Sequence, residues 1–166
     1  MPVSSTTLSL GVRADLLLSP EQSEMVRFIE AADLWFVEER LARKGLVPVG
    51  QLASAILEFK RYMALVGFGY RGLGMLSPNV DEVWHAFILF TREYADFCHS
   101  AFGIFVHHIP RTSRSPRPAT SGEKFLAAYA EVFGDEASAQ YAERAAIRPA
   151  KSDEPAGCGT EDCTDG

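Results

Sequence analysis

The sequence predicts an all-α protein, a single-domain bundle of about five helices with an extended histidine-bearing segment and a disordered C-terminal tail. Three observations carry that prediction. Apolar residues recur at three- and four-residue spacing through most of the chain, as the core-facing stripe of a helix requires. Ser-Pro pairs stand where two of these stripes begin, and glycines stand where several end. A strand-like pattern is confined to the short run IFVHHIP after Gly103. The 166 residues suit one domain with a substantial core and are too few for two of ordinary size. The expected layout is an N-terminal lead over 1–19, a helical domain over 20–147 and an acidic tail over 148–166.

The first helix is expected from Pro20 to Lys44, with Ser19 as N-cap and Pro20 at the first helical position. Met25, Phe28, Ile29, Ala32, Trp35 and Phe36 form its apolar stripe. Arg40, Arg43 and Lys44 load its last turn with positive charge, and Gly45 ends it. A second helix spans Val49 to Val66, burying Leu52, Ile56, Phe59, Met63 and Val66. GFGYRGLGM (67–75) reads as a flexible connector, since it lacks a preceding strand, the GxGxxG order and a P-loop lysine. The third helix starts with Ser77 and Pro78, and Asp81 and Glu82 face the positive end of its dipole. It either runs on for about 25 residues or breaks at Thr91; Gly103 ends it in both cases. The Pro/Ser/Arg run over 110–122 is a linker, followed by helices over Glu123 to Phe133 and Glu136 to Ala146. From Pro149 onward almost no apolar side chain remains to offset the cost of ordering, so disorder is expected there.

Sixteen basic against twenty-two acidic residues give a net charge of −6, which offers no general attraction to nucleic acid or anionic lipid. No run of about 18 apolar residues exists to span a membrane, and the opening lacks the pattern of a secretory signal. Three cysteines, an odd number, suggest no disulfide framework. A cytoplasmic protein with reduced thiols is the expectation. A protein partner would find Arg111, Arg114 and Arg117 in the linker, or the acidic tail.

The chemistry concentrates between Pro78 and Pro110. All four histidines (His85, His99, His107, His108) and Cys98 fall in this run, and imidazole and thiolate are the usual ligands of transition metals. Asp81 and His85, four apart on one helix, share a face. His107 and His108 sit on an extended segment where neighbours point to opposite sides, so at most one joins His85. Asp81, His85 and one of that pair would form a 2-His-1-carboxylate set with open positions for water or substrate, suited to zinc or iron(II). Cys98 is a candidate fourth ligand, and Trp84, Tyr94 and Phe97 are the expected core beside the site. His99, in the last helical turn, is left out because a partly charged imidazole suits the helix dipole there.

Val80-Asp81-x-x-Trp84-His85, then Tyr94-x-x-Phe97-Cys98, then His107-His108-x-Pro110 resembles the conserved segment of the glycine-rich domain-containing protein-like family, in particular its small bacterial members. The resemblance covers roughly residues 50 to 110, and Phe87 stands where the plant branch commonly has a second histidine. It implies a helical domain in which Asp81, His85, His107 and His108 matter together, and it brings no established reaction. Three functional readings follow. One is a zinc or iron(II) site on these residues, of the kind an enzyme would use. Another is a metal-free interaction or scaffold module held by the WH and HH segments. A third is a soft-metal clamp or thiol pair formed by Cys158 and Cys163, weakened because two thiolates make an incomplete zinc site.

Overall fold

Ser19 accepts a hydrogen bond from the Gln22 backbone N–H while the Gln22 side chain accepts from the Ser19 N–H. This reciprocal cap, with Pro20 behind it, starts the first helix where the sequence requires. In the computed structural model of this chain, which describes residues 9–110, 112–115 and 118–146, seven α-helices follow one another. They are α1 (Pro20–Ala31), α2 (Trp35–Lys44), α3 (Leu52–Gly67), α4 (Pro78–Ile88), α5 (Thr91–Phe102), α6 (Ser121–Phe133) and α7 (Asp135–Ala146). A 3₁₀ turn over Val49–Gln51 leads into α3. No strand occurs among the described residues, so the fold is all-α, as expected. None of these helices is long and apolar enough to cross a membrane.

Two breaks raise the helix count from about five to seven. The expected helix from Pro20 to Lys44 is two, because Ala32 leaves the helical region (φ −58°, ψ 120°) and the Asp33 carboxylate accepts from the Trp35 N–H at 3.1 Å. The two halves have different partners: α1 packs on α3 and α5, α2 on α3 and α4. One straight helix cannot serve both. The second break falls at Leu89–Phe90, so α5 begins at Thr91. Gly45 and Gly103 close α2 and α5 in the left-handed conformation (φ 64° and 73°), where glycine carries no Cβ penalty.

α3 is the central element, touching α1, α2, α4 and α6. Its Phe59 and Tyr62 meet Trp84 and Phe87 of α4, and Tyr62 stacks on Phe125 of α6, with ring centroids 5.5–6.3 Å apart. Arg61 and Glu58, also on α3, tie three further segments to it. Arg61 donates to Leu10 O at 2.8 Å, Glu58 Oε1 at 3.0 Å and the Tyr129 hydroxyl at 2.7 Å, while that hydroxyl donates to Glu58 Oε2 at 2.7 Å. Arg144 of α7 reaches the same carboxylate at 3.2 Å. A buried charge is tolerated when each of its lone pairs is met in this way.

Burial, then the Glu58 charge, pushes the hydroxyl of Tyr129 well above the ordinary tyrosine value, and does the same for Tyr141. Tyr70 is pushed up to about 12 by burial and its hydrogen bond with Glu131. The folded state therefore keeps protons that the unfolded chain gives up as pH rises past 10.0, and that part of the stability falls with rising pH. Urea unfolding midpoints should fall as pH rises from about 10 to about 12. A flat profile over that range would contradict the burial of these hydroxyls.

Candidate metal centre

The site grows from the first turns of α4. Ser77 accepts from the Val80 N–H and Pro78 opens the helix. The four-residue spacing of Asp81 and His85 then points both side chains along one face. Asp81 is mostly buried, its side chain 15% exposed, whereas His85 is 47% exposed. His85 Nε2 lies 3.8 Å from Asp81 Oδ2.

The third group arrives from the chain beyond α5. His108 Nε2 lies 3.3 Å from Asp81 Oδ1, and its side chain is only 5% exposed. Its ring meets Trp84 edge-on at 4.5 Å and the His85 ring at 4.6 Å. One donor atom each from Asp81, His85 and His108 lies within 4.8 Å of the others. For ligand bonds of about 2.1 Å, donors at adjacent corners of a tetrahedron sit roughly 3.4 Å apart. His108 Nε2 is at that distance from one Asp81 oxygen, Oδ1 at 3.3 Å, while His85 Nε2 is nearer the other, Oδ2 at 3.8 Å.

The geometry separates the histidine doublet. His107 is exposed and turned away, its ring against Phe105 at 4.9 Å. Cys98, fully buried on α5, lies outside the set of converging donors. His99 is exposed and bonds through Nδ1 to the Ala95 carbonyl one turn back, at 2.8 Å. Trp84, Tyr94 and Phe97 are buried; Trp84 adjoins the His108 ring, and Phe97 packs on Phe28, Phe87 and Phe102. Trp84 Nε1 donates to the Tyr94 hydroxyl at 2.9 Å, which donates to the Val106 carbonyl at 2.5 Å. Val106 is the residue that sequence reasoning missed. Three consecutive apolar residues, Ile104, Phe105 and Val106, precede the doublet, so the pattern does not single out the one that turns inward.

Arg114 is exposed on a turn closed by Ser115 N–H to Thr112 O at 3.0 Å. Arg111, Arg117, Cys158, Cys163 and the tail expected to be disordered lie outside the described residues.

No curated protein and no solved structure matches this chain. The resemblance to the glycine-rich domain-containing protein-like family is overturned by the family model that does match, which is a different one. The model described as UCP032817-like matches residues 38–131, more than half of the sequence and the whole of the site, and the chain belongs to that family.

Proposed function

We propose that this helical protein binds one divalent transition ion, zinc or iron(II), through Asp81, His85 and His108. The observation that carries the reading is the convergence of two imidazole nitrogens and a carboxylate oxygen within 4.8 Å, with one imidazole supplied from a distant part of the chain. Two histidines and one carboxylate leave coordination positions open, the pattern of catalytic zinc and non-haem iron(II) centres. An ion held there acts as a Lewis acid toward whatever occupies the open positions. The exposed edge at His85 is the side from which water or a small substrate would enter.

A second reading has its own support. His108 is nearly buried and packed on Trp84, and its Nε2 is hydrogen-bonded to Asp81 without an ion. In that reading the WH and HH segments hold the fold of an interaction or scaffold module, with exposed Arg114 available to an acidic partner.

Elemental analysis of protein purified without a histidine tag distinguishes the two. The metal reading expects near-stoichiometric zinc or iron, lost on chelation and regained on adding the ion. Protein that carries no metal and takes none up would establish the metal-free reading instead.

A further inference from the structure

We infer that Tyr94 is a positioning residue for the metal site, selecting which of two adjacent histidines reaches the ion; the inference rests on the metal reading above. Tyr94 is buried and its hydroxyl serves two partners at once. It accepts from Trp84 Nε1 at 2.9 Å and donates to the Val106 carbonyl at 2.5 Å. Trp84 is the chain neighbour of His85 and lies edge-on to His108. One phenol thus couples the helix that carries two ligands to the segment that carries the third.

The coupling sets a register. In an extended chain residues two apart project to the same side. With the Val106 carbonyl pinned and its side chain fully buried, His108 turns inward to Asp81, and His107 turns out against Phe105. A slip of one residue would exchange the two imidazoles. The doublet makes that exchange chemically possible, and the bond from Tyr94 opposes it. The Tyr94 ring itself is held by Phe87 at 5.1 Å and Phe105 at 5.2 Å. Phenylalanine at this position would therefore keep the ring packing and lose both hydroxyl bonds, the one from Trp84 Nε1 and the one to the Val106 carbonyl.

The test titrates zinc, and cobalt(II) as a spectroscopic stand-in, into the full chain and its variants. Tyr94→Phe should weaken zinc binding by about tenfold or more, the effect of losing an outer group that orients a ligand, and alter the cobalt(II) visible spectrum. Tyr129→Phe, which breaks the remote bond to Glu58, should lower the melting temperature and leave zinc affinity alone. A Tyr94→Phe protein with a lower melting temperature but wild-type zinc affinity would overturn the positioning role. The register has its own test, which decides alone if Tyr94→Phe does not fold. His108→Ala should lose zinc, and one glycine inserted between Val106 and His107 of that variant should restore uptake by turning His107 inward. Failure to restore it would overturn the inference. Wild-type protein that takes up no zinc or cobalt would sink the metal reading and this role with it.

Discussion

Replacing His108 with alanine is expected to abolish stoichiometric metal binding and to cost about 2–3 kcal/mol of stability as well, because a nearly buried ring packed on Trp84 leaves a cavity. His85→Ala should separate these effects. Its ring is half exposed, so stability should move by no more than about 0.5 kcal/mol, while metal affinity falls as steeply as in His108→Ala. Each loss should exceed the roughly 10–100-fold typical of groups that only orient a ligand. Metal content measured beside thermal unfolding reads both quantities in one preparation. If both variants keep the metal content of the wild type, these imidazoles are not its ligands. If His108→Ala loses stability from a wild type that holds no metal, the histidine is a core residue and the scaffold reading prevails.

Removing the Glu58 carboxylate should produce the largest change in stability. Glu58→Ala strips the partner from Arg61 and from the Tyr129 hydroxyl, both at the junction of α3 with α6, and leaves the Arg61 charge partly buried. Breaking a buried pair from one side typically costs about 3–5 kcal/mol, mostly the penalty of the stranded partner. Arg144→Ala offers the contrast. That side chain is 55% exposed, so its pairing should contribute less than about 1 kcal/mol. Urea unfolding of the two variants measures the difference. A Glu58→Ala protein within about 1 kcal/mol of wild type would mean that solvent reaches this network and screens it.

Much of the fold was legible in the residues because helix signals are local. Ser19-Pro20, Ser77-Pro78, Gly45 and Gly103 mark helix ends through bonds and torsions within a few residues of themselves. The turn at Asp33 was not legible, since the apolar spacing runs through it unbroken and only the different partners of α1 and α2 require the bend. The same line divides the candidate site. Asp81 and His85 share a face by helical geometry alone, whatever the rest of the molecule does. The exclusion of Cys98 followed from the packing of α5, which turns that thiol into the core.

The sequence by itself determined the helical class, most helix boundaries, and the pairing of one aspartate with one histidine, because these depend on hydrogen bonds and side-chain directions that repeat every turn. Only the tertiary structure decided that His108, 27 residues along the chain from Asp81, and not His107, completes the group. That choice depends on burying Trp84, Tyr94 and Val106 together, which no local spacing encodes, because closing distant segments is governed by the core they jointly form.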